Sequence, residues 1–332
     1  MLIRLLLSLQ ILFFISINDC VAQDLHFSQF LATPLYINPS MTSLVGGDCR
    51  AVGVYRSQWR EVSIPFNSIF ASYEHKMFLG KNTAGIGIMI ANDRSGDAEY
   101  TVNDIRISLA YHWRLNNNFL SVGIQPGFYQ KMIGVTDLTY PIQYDPSIGL
   151  FNSSLSNYES GQAMQVKYVD INLGMHWAGI IDDDKAYRLG LSVMHLFQPY
   201  ESFYNVKDWK LPRKWNFNAG FEMNINDQMA VFPNTIIMMQ GGAFEFIGGV
   251  NALLYNKDRS IKLIPGFHYR YGDAVIPSFS MLIKQVQLGL SYDLNVSGLK
   301  AATNYQGGFE VSLMYRCFNS QIDQMKVPCE RF

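Results

Sequence analysis

The sequence predicts an all-β fold, a transmembrane antiparallel β-barrel of about fourteen strands. Three observations lead there. The chain starts like an exported protein. Its composition is aromatic-rich and charge-poor, with no apolar run long enough for a membrane helix. Its strands alternate with a strict two-residue period, and they run nearer the roughly 10 residues of a tilted bilayer-crossing strand than the roughly 5–6 of an ordinary one.

The N-terminus comes first. Arg4 is the only charge before Asp19, and an apolar run from Leu5 to Ile17 lies between them. A basic start and a short apolar stretch form a secretory signal peptide, not a spanning helix. Cys20-Val21-Ala22 puts small residues at −3 and −1 of a cut before Gln23, so residues 1–22 are expected to be removed. A lipoprotein cysteine at Cys20 would need a small residue before it, and Asp19 is not small.

Composition narrows the class. Net charge is −1, which gives no attraction to nucleic acid, and none is expected as a partner. Charged residues make up 16%, below the usual quarter or so. Aromatic residues make up 14%, and mean hydropathy is near zero. A barrel strand shows alternate residues to lipid, so half of it is apolar while its mean is neutral. A secreted β-sandwich shares that bulk composition, and the period separates the two.

In Asp104–Trp113, Ile105, Ile107, Leu109, Tyr111 and Trp113 share one face, and Asp104, Arg106, Ser108, Ala110 and His112 share the other. The same alternation recurs around Val169–Ala178, Lys214–Met223, Gln285–Tyr292 and Phe309–Tyr315. Tyr and Trp at strand ends suit the interface where hydrocarbon meets head groups. Fourteen or so candidate strands follow at 50–60, 67–78, 83–92, 100–113, 119–134, 166–179, 187–198, 213–224, 229–240, 243–256, 260–271, 274–284, 285–293 and 307–317, an even number as bacterial barrels require.

Connection lengths give an independent phase. Tight turns such as Leu79–Asn82, Leu115–Asn118 and Ile225–Asp227 follow even strands, and long connections such as 135–165, 199–212 and 294–306 follow odd ones. Barrels of this kind have short periplasmic turns and longer outer loops. Both termini are therefore expected in the periplasm of an outer-membrane protein. The parts are a signal peptide (1–22), an N-terminal segment (23–48), a barrel (49–317) and a periplasmic tail (318–332). Pro34 and Pro39 mark residues 23–48 as irregular. Irregular backbone at membrane depth survives only inside protein or water, so this segment is the candidate to plug the lumen.

Catalytic and metal motifs are not found. None of the six histidines has metal-ligand spacing, there is no Cys-x-x-Cys, and Gly85-Ile86-Gly87 lies within a strand with no helix after it. Glycine in a strand eases curvature or close packing. Asp182-Asp183-Asp184 lacks the further oxygen ligands of a Ca²⁺ loop and reads as a solvated turn. No cofactor and no enzymatic activity are expected. Asp104, Arg106, Asp170, Lys214, Glu222 and Glu310 point inward, which favours a wet or plugged interior with paired charges over a selective pore. Glu310 on the last strand can face Arg56 on the first. Closing the barrel also sets Cys49 beside Cys317, a candidate disulfide for which Cys329 competes.

Motifs along the mature chain add a resemblance. Asp24-Leu25-His26-Phe27-Ser28-Gln29 opens it, and Asn38-Pro39 follows. Tyr55-Arg56-Ser57-Gln58-Trp59, Asn92-Asp93 and Gly307-Gly308-Phe309-Glu310 come later. This order resembles the PorP/SprF family of the type IX secretion system over essentially the whole mature chain. Leu25 and Glu330 depart from it, because the family often has proline at both. The resemblance marks Phe27, Ser28, Gln29, Asn38, Pro39, Tyr55, Arg56, Gln58, Trp59, Asn92, Asp93 and Glu310 as motif residues. It implies an outer-membrane part of the secretion and gliding machinery. Its partners would be outer-membrane lipid, other secretion components and a secreted adhesin-like protein with a C-terminal signal, which it helps to export or anchor. The alternative is an outer-membrane channel or transporter for a small solute.

Overall fold

A computed structural model describes residues 24–318, apart from 62–63, 135–139, 153, 156–163, 204–208 and 257–259. The expected signal peptide (1–22), Cys329 and all of the tail beyond Phe318 lie outside the described residues.

Fourteen strands close into one antiparallel barrel. They are β1 (Cys49–Gln58), β2 (Phe66–Leu79), β3 (Asn82–Ser95), β4 (Tyr100–Leu115), β5 (Asn118–Ile133), β8 (Met164–Asp182), β9 (Lys185–Met194), β10 (Lys214–Asn226), β11 (Met229–Gln240), β12 (Ala243–Tyr255), β13 (Ile261–Arg270), β14 (Ala274–Ile283), β15 (Val286–Asn295) and β16 (Gln306–Cys317). Two very short strands, β6 (Tyr144–Asp145) and β7 (Leu150–Phe151), pair apart from the barrel in the long connection after β5. Each predicted strand meets an observed one within a few residues. β1 pairs with β16 in register, with Cys49 opposite Cys317 and Arg56 opposite Glu310. The first pair is joined by a disulfide, with Cα atoms 5.1 Å apart.

Alternation separates the two faces. On β4, Ile105, Ile107 and Leu109 are 44–50% exposed, whereas Asp104, Arg106, Ser108 and His112 are at most 4% exposed. Such a surface is stable only if the exposed apolar side faces hydrocarbon. The buried polar side faces the interior, and all six inward charges read from the pattern are buried.

Prolines interrupt the ladder where its chemistry requires. Pro126, Pro233, Pro265 and Pro277 all lie within barrel strands. Pairing breaks beside each of them on one flank, between β4 and β5, β10 and β11, β12 and β13, and β14 and β15. Proline has no N–H to donate, so one neighbour loses its bond there.

Connections at the disulfide-bearing rim are 80–81, 116–117, 183–184, 227–228, 256–260 and 284–285. At the opposite end they include 59–65, 134–163, 195–213 and 296–305, together with two short turns at 241–242 and 271–273.

Candidate functional site

Residues 24–48 run through the barrel interior. Short helical turns at Phe30–Ala32, Pro34–Ile37 and Pro39–Met41 bend the chain, two of them opened by proline at the first position. Several carbonyls of the segment meet donors of the inner wall. Gln125 donates to Leu35 O at 3.0 Å, Ser192 and Asn216 donate to Ile37 O at 2.6 and 2.9 Å, and His112 Nε2 lies 2.9 Å from Thr42 O. These donors come from β4, β5, β9 and β10, so the inner wall satisfies the segment's backbone as a low-dielectric interior demands.

Ser28 and Gln29 form the first anchor. The Ser28 amide donates to Glu310 Oε1 at 2.6 Å, and the Gln29 amide donates to Glu310 Oε2 at 2.8 Å. The Ser28 hydroxyl donates to Asp293 at 2.7 Å and accepts from Arg56 at 2.7 Å and from Arg270. Arg56 bridges Glu310 and, at 2.9 Å, Asp293. Arg270 reaches Asp293 at 3.0 Å and Glu245 at 3.3 Å. With its amide oxygen turned toward Arg56, Gln58 accepts from the same guanidinium. One serine thus sits where β1, β13, β15 and β16 converge. Phe27 beside it packs edge-on against Tyr36 and Phe70, with ring centroids 5.7 and 5.8 Å away.

Asn38 and Pro39 form the second anchor, which carries no charge. Asn38 is fully buried, and its side-chain nitrogen donates to Met175 O at 3.1 Å and Leu191 O at 3.3 Å. Its oxygen accepts from Ser40 N and Oγ at 3.0 and 2.6 Å. Bare glycines let the segment approach. A Cβ on Gly174 would collide with Asn38, one on Gly123 with Pro39 and one on Gly85 with Thr42. The Gly85-Ile86-Gly87 run therefore serves close packing.

A third contact holds the start of the segment. His195, just past β9, lies 2.7 Å from Asp24 and 2.7 Å from Asp170 on β8. Burial alone would lower the His195 pKa, but the two carboxylates outweigh it and raise it to about 9. Burial would raise the Asp24 pKa, yet His195, Lys214 and Lys131 hold it well below the ordinary carboxylate range.

Above this floor, at the end opposite the disulfide, lies a cavity of about 700 Å³. Its lining includes Asp24, Tyr36, Asp93, Arg106, Tyr129 and Tyr168.

A family model described as the type IX secretion system membrane protein PorP/SprF matches residues 20–315. The chain belongs to that family. No curated protein matches it. Among solved structures it is similar to a Pseudomonas aeruginosa FadL homologue at 8% identity and a TM-score of 0.51, covering 84% of this chain and 92% of that one. It is similar to the TodX deltaS2S3 mutant monoaromatic hydrocarbon channel at 9% identity and a TM-score of 0.51, covering 84% and 92%. At such identities the likeness shows the fold alone, that of outer-membrane barrels. Family and fold together make this PorP/SprF protein a type IX secretion component of the outer membrane.

The motif residues divide between two tasks. Phe27, Ser28, Gln29, Arg56, Gln58 and Glu310 come together in one cluster, and Asn38 and Pro39 make the other anchor. Asp93 points inward and accepts from Ser68 at 2.5 Å. Tyr55, Trp59 and Asn92 lie outside both anchors. Tyr55 donates to Asn67 at 2.9 Å on the outer surface, Asn92 donates to Asn103 at 2.7 Å, and Trp59 packs on Phe66 with centroids 4.8 Å apart. The sequence carries Asp293 in the motif stretch Leu290-Ser291-Tyr292-Asp293 but gives it no role, and sequence reasoning missed Arg270, His195 and the tyrosines of the cavity. Asp293 and Arg270 stand on inward positions of β15 and β13, so extending the same alternation would have placed both in the interior.

Proposed function

We propose that this barrel is a non-enzymatic part of type IX secretion that helps export a secreted adhesin-like protein, or holds it at the cell surface. The observation that supports this best is the use of the family's motif residues. They fix residues 24–48 against the inner wall at two anchors, so the segment runs through the lumen from the Ser28 cluster, near the end opposite the disulfide, down to the disulfide rim, and leaves a recess beside it at that opposite end. The short turns lie on the disulfide-bearing rim, which supports placing both termini in the periplasm and the recess outside. The secreted partner, recognised through its C-terminal signal, would then meet the outer loops, while other secretion components meet the periplasmic rim.

The test is a deletion strain complemented with the intact gene or with Ser28→Ala/Asn38→Ala. Surface display of one secreted adhesin should vanish in the deletion and fall in the double variant while the barrel level is unchanged. Normal display without the gene would sink the reading. A second reading, a channel for a small solute, is favoured by the 700 Å³ cavity. Conductance of the purified protein in planar bilayers separates the two: the plugged barrel should pass no steady current.

A further inference from the structure

The outer cavity is built as a ligand site, and neither anchor of the segment needs it. Tyr129 and Tyr168 stack in it with centroids 5.0 Å apart and planes 12° from parallel. Tyr129 is 4% exposed, yet its hydroxyl has no hydrogen-bond partner among the described residues. Glu201 Oε2 is likewise unpartnered. A buried polar group left without a partner costs stability, so two such groups around one recess call for a ligand rich in donors.

The cations of the cavity decide which ligand. Arg106 lies over Tyr36 and Tyr129 at 4.7 and 5.3 Å, and Lys131 lies 6.0 Å from the Tyr168 ring. Arg106 is held by Asp104 at 2.5 Å and Lys131 by Glu201 at 2.7 Å. The aromatic faces therefore already carry cations of the protein itself, which leaves a partner's lysine or arginine no free face to stack on. A neutral hydroxylated ring needs none, because each of its hydroxyls can donate to a carboxylate and accept from Arg106 or Lys131. The volume of about 700 Å³ falls within the roughly 300–1,000 Å³ of small-ligand sites.

Described residues of the connection after β9 line one side of the recess. The connection folds back on itself, with Glu201 N donating to Trp209 O at 3.1 Å and Leu211 N to Pro199 O at 2.9 Å. Glu201, Trp209 and Leu211 are thereby brought to the wall of the cavity.

We propose that the cavity opposite the disulfide is a saccharide-binding site facing the cell exterior, with Tyr129, Tyr168, Asp93 and Glu201 as its contacts. The sugar could belong to lipopolysaccharide or to a glycosylated secreted protein, and both present the same hydroxyl chemistry. The proposal rests on the outward placement of this end. Labelling Trp209→Cys on intact cells with a membrane-impermeant maleimide tests that placement by itself, so a wrong orientation and a wrong ligand give different results.

The binding test uses the full mature barrel in detergent and saturation-transfer NMR with three probes. These are oligosaccharide from delipidated lipopolysaccharide of the source bacterium, glycans released from its secreted proteins, and a tri-arginine peptide. Transfer to ring protons of at least one glycan pool is expected, and the pool that binds names the source. Tyr129→Phe, which keeps the ring and removes the hydroxyl, should weaken binding about tenfold. Tyr168→Ala should weaken it further, and the heat-modified gel shift reports whether each variant is folded. Binding of the peptide alone, silence from both glycan pools, or glycan binding unchanged in both folded variants would each overturn the proposal.

Discussion

At one end of the interior segment, Ser28 and Gln29 sit among two guanidiniums and three carboxylates. At the other, Asn38 and Pro39 lie against bare backbone between glycines. The two anchors solve one problem, holding irregular chain inside a barrel, with opposite physics. The first uses charge in a place where water is scarce, so each member depends on every other. The second uses shape and a few neutral hydrogen bonds, so its cost of failure is steric and local. A motif containing Arg, Glu and Ser therefore marks where the segment is fixed most strongly. One containing Asn, Pro and facing glycines marks where it passes most closely.

The charged anchor should break hardest. Glu310→Ala removes the acceptor of two segment amides and leaves Asp293 as the one carboxylate paired with Arg56 among the described residues. Removing one partner of a buried pair costs about 3–5 kcal/mol. The expected outcome is a lower unfolding temperature on heat-modified gels and proteolysis of residues 24–48 in otherwise folded barrels. Replacing both partners, Arg56→Met with Glu310→Leu, should cost much less than the sum of the single changes, because no orphaned charge remains. Additive losses would show that the cluster is not the coupled unit its geometry indicates.

Between the anchors in strength stands the contact of Asp24 with His195. His195 gains its partners on folding and its pKa rises from 6.5 to about 9. Its contribution is therefore complete below about pH 6.5 and disappears as pH climbs through about 9. The pKa of Asp24 is lowered, so its contribution stands above about pH 4 and disappears in acid. The start of the segment should be held best between those limits, by up to roughly 3 kcal/mol from His195. Protection factors at residues 24–30, which divide out the intrinsic rise of amide exchange with pH, should fall between pH 7 and 10, and Asp24→Asn should flatten that fall. Wild-type protection factors that do not change over this range would remove the contact from the list of anchors.

The barrel was readable in the sequence because lipid enforces a period of two over long strands. Ile105, Ile107 and Leu109 could face nothing else, and fourteen strands followed from counting such runs. Arg56 opposite Glu310 and Cys49 opposite Cys317 were readable for a related reason, since an even barrel must bring its first and last strands together. The interior was legible only as a list of inward charges. Which of them meet depends on the path of residues 24–48, and that path is set by contacts between positions more than a hundred residues apart, such as Asn38 with Met175. Tyr129 and Tyr168 could not be paired from sequence, because the register between β5 and β8 crosses a connection whose length fixes nothing. Asn92 and Trp59 belong to the motifs but not to the anchors, and nothing in the interior explains them.

The neutral anchor gives the smallest and most local effect, and it tests whether shape alone is at work there. Gly174 faces Asn38 so closely that an added methyl has no room. Gly174→Ala should displace the Asn38 side chain, loosen its bonds to Met175 O and Leu191 O and cost about 1–2 kcal/mol. Gly53 on β1 makes the control, because nothing lies within 4 Å of a Cβ built there. Gly53→Ala changes strand propensity in the same way but meets no segment, so its unfolding temperature should match the parent or rise slightly. Proteolysis read residue by residue adds the discrimination that a melting temperature lacks. With Gly174→Ala, cleavage should appear near Asn38 while Ser28 stays protected. With Glu310→Ala, the protection should be lost from the Ser28 end first. If both variants expose the whole segment at once, the two anchors act as one, and the distinction between charge and shape has no consequence for how the segment is held.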